Sequence, residues 1–121
     1  MTTYRAAGAE VRIGRRSPAM DAVLHRWGMR QAAFIGAANP RSRRKPGGWN
    51  RRLDAALHHM VRRLQHAPGE GKGRMWSEPN VLVGCPAARA AVLAQRFGQA
   101  AIVVVGRGRP ASLLLLPAPR P

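Results

Sequence analysis

Two hydrophobic periods alternate along this chain, and that alternation most restricts what it can fold into. Short continuous apolar runs stand at Ala32–Ile35, Val81–Val83 and Ala100–Val105. Runs this short, bounded by turn residues, are the mark of buried strands. Between them the spacing is helical. Met20, Val23, Leu24 and Trp27 fall at i, i+3, i+4, i+7, and Leu53, Leu57, Met60 and Leu64 form a second stripe. Ala90, Leu93, Ala94 and Phe97 form a third. Each stripe needs an apolar surface to cover it, and the strands supply one.

Local punctuation sets the expected boundaries. Tyr4–Ile13 reads as a first strand, because Val11 and Ile13 alternate with Glu10 and Arg12. Ser17 before Pro18 is a cap followed by a favourable first helical residue, which predicts a helix over Pro18–Trp27 ending at Gly28. Arg30–Ala37 follows as a second strand. Asn50 is the expected cap of a helix running to Gln65. Pro68, Gly69, Gly71 and Gly73 are expected to break the chain before the strand at Val81–Val83. Pro86 opens a third helix to Phe97, with Gly98 just past its end. Gly106–Pro110 turns the fourth strand into Ser112–Leu116 as a hairpin. The order β-α-β-α-β-α-β-β predicts one α/β domain over residues 1–116, a mixed sheet of about five strands flanked by three helices. Pro117–Pro121 is expected to be a frayed tail.

Composition narrows the class. With 121 residues, 45% of them hydrophobic, the chain suits a single core. Cys85 is the one cysteine, which excludes an internal disulfide and a multi-cysteine metal site. His58 and His59 are adjacent and cannot share a helix face, so no metal site is expected. No cofactor is indicated. The opening MTTYRAAGAEVRIG lacks an apolar core and does not read as a signal peptide. The apolar runs are too short to span a bilayer, so the expectation is a cytoplasmic protein without membrane contact. Oligomeric state is not legible.

The charge is +16, from 21 basic and five acidic residues, and all the basic residues but Lys45 and Lys72 are Arg. Together with the abundance of Ala, Gly and Pro, this matches the coding bias of a GC-rich genome. Such a surface attracts polyanions whatever its origin.

The stretch Ala37–Asn50, AANPRSRRKPGGWN, joins a strand to a helix and carries Arg41, Arg43, Arg44 and Lys45 without an acid. Loops leaving a strand and opening a helix are frequent seats of anions. With the helix starting at Asn50, Arg51 and Arg52 lie in its first turn, where the dipole disfavours cations by ~0.3–1 kcal/mol each. A bound phosphate relieves that strain, and Gly47–Gly48 lets the backbone approach it. Trp49 is placed to stack on a base. The loop lacks the Gly-Lys-Ser/Thr ending of a Walker loop. The plain alternative is a solvated charge run.

Several pieces, in this order, resemble one family: RIGRRSPAMDAVL (Arg12–Leu24), AAFIGAANPRSRR (Ala32–Arg44), the helix start at Asn50, WSEPNVLV (Trp76–Val83) and RFGQAAIVV (Arg96–Val104). Together they are similar to an uncharacterised bacterial family, domain of unknown function 3293. The resemblance implies a stand-alone α/β domain and brings no established reaction. It also implies interest in the polar positions that match here: Asn39, Asn50, Glu78 and Gln99. Where this chain has Gly36 the family usually carries a hydroxyl residue, and at Ala38 an aromatic, so hydroxyl chemistry at the strand end is not expected here. Each matched residue has a structural alternative. Asn39 before Pro40 forms turns, Asn50 caps a helix, Gln99 satisfies a helix end, and Glu78 pairs with an Arg.

Three classes of function follow. The first is binding of a phosphate-bearing anion, nucleotide or nucleic acid, through the Arg-rich loop 37–52 with Trp49, Asn50 and Gln99. The second is a small enzyme on an anionic substrate, with Glu78 as the catalytic carboxylate and Asn39 and Gln99 positioning the substrate. The third is a module docking an acidic protein partner. Convergence of Asn39, Glu78 and Gln99 on one cleft is the arrangement that the second class requires.

Overall fold

The computed structural model describes residues 1–38 and 44–117. Seven strands and three helices occur among them: β1 (Thr3–Ala6), β2 (Ala9–Val11), α1 (Pro18–Trp27), β3 (Gln31–Ile35), α2 (Gly47–Met60), β4 (His66–Lys72), β5 (Ser77–Val83), α3 (Ala87–Arg96), β6 (Ala101–Gly106) and β7 (Ser112–Leu115). The strands form one sheet in the order β2-β1-β4-β5-β3-β6-β7. Every neighbouring pair in it is antiparallel.

The expectation of a mixed sheet of about five strands is therefore corrected to seven antiparallel strands, for two local reasons. First, the expected strand Tyr4–Ile13 folds back on itself. Ala7 and Gly8 take φ of 51° and 79°, a tight left-handed turn that pairs Ala6 with Ala9. Second, the glycine-rich stretch read as a chain break is strand β4. It pairs along its whole length with β5, from His66↔Val83 to Lys72↔Ser77. Its backbone hydrogen bonds need no apolar side chains, so it carries no hydrophobic period. The β6–β7 hairpin is as expected.

The sheet curls until its two edges approach. An isolated bridge joins Ile13, just beyond β2, to Ala111, just before β7. Gly14 N donates to Ala111 O at 2.7 Å, and Ala111 N donates to Arg15 O at 3.0 Å. Helix α1 packs within this curl. The Ser17 hydroxyl accepts from Met20 N at 3.1 Å, and Gly28 closes the helix in the left-handed region.

Alternation along the strands divides the core into two layers. Ala32, Phe34, Leu82, Val103 and Val105 face α1, where Met20, Val23 and Leu24 bury against them. Ala33, Ile35, Val81, Val83 and Ile102 face the other way and meet Leu57 and Val61 as well as the α3 stripe of Ala90, Leu93, Ala94 and Phe97. Strands β5 and β6 point the same way with β3 between them, so α3 is the crossover that joins them.

Helix α2 departs from expectation at both ends. It begins at Gly47 with Pro46 at the cap, so Asn50 is not the cap but a first-turn residue, and its Nδ2 donates to Lys45 O at 3.2 Å. Arg51 and Arg52 consequently lie beyond the first turn, where the dipole penalty has largely decayed. The helix ends at Met60 rather than Gln65, and Met60, expected on the core stripe, is exposed. The chain turns there because Leu64 and Gln65 must lead into β4.

Candidate functional site

At one end of the sheet β3 finishes while β5 and β6 begin. The segment before α2 and the turn after α3 arrive at the same place. An open cleft of about 930 Å³ lies between them, lined by Arg44, Asn50, Trp76, Glu78 and Gln99, among others. Four residues singled out from sequence, on three stretches of the chain, thus share one cavity: Arg44, Asn50, Glu78 and Gln99. Asn39, Arg41 and Arg43 lie outside the described residues. Lys45 and Trp49 pair with each other, the ammonium 4.8 Å from the ring centroid, and are not among the residues lining the cleft.

A smaller chamber of about 150 Å³ continues inward. Trp76, Glu78, Pro79, Gln99 and Ala101 belong to the walls of both spaces. The chamber occupies the inner face of the curled sheet, on the side that α1 covers further along. Its remaining wall includes Tyr4, Phe34, Gly71, Asn80, Val103 and Leu113. Tyr4 and Phe34 pack ring against ring at 5.7 Å.

The register explains how these side chains meet. Gly71 sits opposite both Tyr4 and Glu78, and Gly69 sits opposite Asn80, so all five positions share the inner face. A Cβ on Gly71 would lie 3.2 Å from the Tyr4 ring and 3.5 Å from Asn80 Nδ2. A Cβ on Gly69 would collide with Asn80 Oδ1 and come within 2.8 Å of Arg5 O. The two glycines therefore make the room in which the Asn80 amide and the Tyr4 ring lie.

Asn80 is 8% exposed, and its Oδ1 is buried without a hydrogen-bond partner among the described residues. Gln99 is better supported. Its Nε2 donates to Ala38 O and to Phe97 O, both at 3.1 Å, tying the end of β3 to the end of α3. Both amide protons are thereby engaged, and Oε1 remains as its acceptor, on the side of Gly36. Gln99 thus does satisfy a helix end, as its structural alternative held, while also lining the cleft. Burial raises the Tyr4 phenol above its ordinary pKa, and the Glu78 carboxylate adds to the rise.

Tyr4, Trp76 and Asn80 were not singled out from sequence. One signal was available: Glu78 and Asn80 alternate ahead of an apolar run, and Gly69 and Gly71 alternate opposite them. Elsewhere the chemistry is muted. Cys85, just ahead of α3, is buried, and burial raises its thiol pKa although Arg89 pulls the other way. Its position before a helix thus does not activate it. His66 begins β4, with Nδ1 2.8 Å from Leu64 O. Among the described residues no group of three His, Cys, Asp or Glu could hold a metal ion, and no helix is long and apolar enough to cross a membrane.

Chemically, the site sets a guanidinium at the outer cleft, an indole and a carboxylate at the join, and amide oxygens further in. A family model described as "Protein of unknown function (DUF3293)" matches residues 35–102, more than half of the chain. The match runs from the end of β3 into β6 and takes in Arg44, Asn50, Glu78, Asn80 and Gln99, but not Tyr4. No curated protein and no solved structure matches the chain.

Proposed function

Since the chain belongs to the DUF3293 family, whose function is unknown, we propose that it binds a phosphate-bearing small molecule of the nucleotide type in this cleft. The observation that carries the reading is the shared cleft itself, lined together by Arg44, Asn50, Trp76, Glu78 and Gln99. A guanidinium receives phosphate through paired charge-assisted hydrogen bonds. An exposed indole stacks on a planar ring. Helix α2 begins close to Arg44, and among the described residues no side chain caps its first N–H groups, which favours an anion there. Arg41 and Arg43 precede Arg44 in sequence and supply further positive charge.

Titration with nucleoside monophosphates, followed by tryptophan fluorescence, tests this. Arg44→Ala is expected to weaken binding roughly tenfold or more, the loss of one hydrogen bond to a charged group. Equal binding by the variant, or no binding by the parent, removes the reading.

A catalytic role is the second reading. It draws on Glu78 and Tyr4, which line one chamber, the Glu78 carboxylate adding to the rise of the Tyr4 phenol pKa. In that reading Glu78 accepts a proton from an anionic substrate seated in the cleft. Turnover of a bound nucleotide that Glu78→Gln abolishes, with binding retained, would select it.

A further inference from the structure

Strand β7 is an edge of the sheet, and its make-up is unlike the rest of the chain. It reads Ser-Leu-Leu-Leu, and Leu113, Leu114 and Leu115 are 48%, 38% and 73% exposed. Natural sheets guard an edge with charged residues, with Pro or with a covering segment. This chain has 21 basic residues, yet none stands in β7, and Pro110 and Pro117 both lie outside it. An apolar edge left unguarded is a template for a further strand.

The backbone is arranged to receive one. In an antiparallel pair, alternate residues turn their N–H and C=O groups to opposite sides. Leu116 N donates to Ala100 O at 2.8 Å, so Leu116, Leu114 and Ser112 turn toward β6. Ala111 turns outward, where its O accepts from Gly14 N and its N donates to Arg15 O. Leu113 and Leu115 turn the same way as Ala111, and past Ala111 no described segment pairs with them. Two donors and two acceptors thus face out in line, with leucine side chains on both faces of the strand. The segment that engages Ala111 also brings charge. Arg15 and Arg16 are exposed there, as is Arg109 in the turn before β7. Asp21, whose Oδ1 accepts from Gly108 N, offsets only part of it.

We propose that the β7 edge receives an extended segment of an acidic protein partner, added as a further strand antiparallel to β7. Antiparallel addition continues the pairing found throughout the sheet. It runs the partner from Leu115 toward Ala111. Apolar residues of the segment then lie beside the leucines, and acidic residues that follow them reach Arg15, Arg16 and Arg109. The order, apolar first and acidic after, is a consequence of strand direction. A second copy of this chain suits the edge less well. It brings a like charge of +16, and pairing two four-residue strands alone falls short of the ~1,200 Å² of a stable interface. The inference does not depend on what the cleft holds.

The test is an NMR titration of the full chain with two terminally blocked peptides, Thr-Val-Thr-Val-Glu-Glu and Glu-Glu-Thr-Val-Thr-Val. The first is expected to bind more tightly than the second and to shift the Leu113 and Leu115 amides. Leu115→Pro removes an outward N–H and leaves the bonds to β6 in place. It is expected to weaken the first peptide about fivefold or more, the worth of one backbone hydrogen bond. Peptides N-methylated at both valines or at both threonines give the same test without altering the protein. One set is expected to lose binding and the other to keep it, because only alternate amides of an added strand face β7. Arg16→Ala with Arg109→Ala is expected to erase the preference between the two peptide orders. Failure of the first peptide to bind, shifts confined to residues away from β7, or equal binding of both orders overturns the proposal. Binding undiminished by Leu115→Pro and by both methylated peptides does so too. A dimer in sedimentation that Leu115→Pro dissociates assigns the edge to a second copy and overturns the acidic partner.

Discussion

Asn80 holds a polar atom inside the core at a cost in stability. Its buried Oδ1 carries a desolvation cost of ~1–3 kcal/mol that nothing among the described residues offsets. Leu keeps the branched shape without a polar atom, although its methyl groups are bulkier than the amide they replace. Asn80→Leu is therefore expected to leave stability unchanged or to raise it by up to ~1–3 kcal/mol in denaturant unfolding. A clear loss of stability would mean that the amide is satisfied in solution and is structural. Two other residues set the alkaline limit. Cys85 and Tyr4 both have pKa values raised above their ordinary 9.0 and 10.0, chiefly by burial. The folded state thus holds these protons more tightly than the unfolded state. Their contribution to stability is complete below about pH 9 and is lost as pH rises through the raised values. Unfolding midpoints are expected to be flat up to that point and to fall beyond it, and Cys85 is expected to react with a thiol reagent only as fast as the chain opens. Rapid labelling of the folded protein near neutral pH would contradict its burial.

Among the elements, α2 and β4 show opposite ways in which a segment is held. Helix α2 is anchored by few residues, of which Leu57 is fully buried against the sheet face that also carries Val81 and Val83. Leu57→Ala is expected to cost ~2–5 kcal/mol in urea or thermal unfolding, because the cavity cannot refill from one thin stripe. Strand β4 is held mainly by backbone pairing to β1 and β5, and its glycines face occupied space. Gly69→Ala is expected to destabilise by ~1–3 kcal/mol through overpacking against the Arg5 carbonyl and the Asn80 amide. A neutral result would show that the strand shifts easily and that the chamber wall is soft.

For the whole molecule the controlling quantity is the charge of +16. Any binding to RNA or DNA is expected to be dominated by release of counterions, with log affinity falling linearly with log salt. Replacing Arg43 and Arg44 by Ala together should flatten that slope by up to roughly two units, about one per phosphate contact. A slope unchanged in a filter-binding series would assign the charge to the general surface rather than to this segment.

Much of the architecture was legible from the chain alone. The stripe in α1, its Ser17–Pro18 start and its Gly28 end act within a few residues of one another, so the sequence around them determined that helix almost to the residue. The same holds for the stripe of α3 and for the buried runs within β3 and β6, where hydrophobic period or continuity is a local property. The site was legible as polar residues at the ends of elements, with Asn39, Glu78 and Gln99 expected to face one cleft; that Arg44 and Asn50 line the same cavity as Glu78 and Gln99 was not legible. Only the tertiary structure decided that they meet, because the curl of the sheet and the crossover through α3 bring together residues tens of positions apart. It likewise decided β4 and the split of the first strand. A strand held by backbone hydrogen bonds leaves no hydrophobic pattern behind, and a glycine that clears space for Asn80 looks, in sequence, the same as one that ends an element.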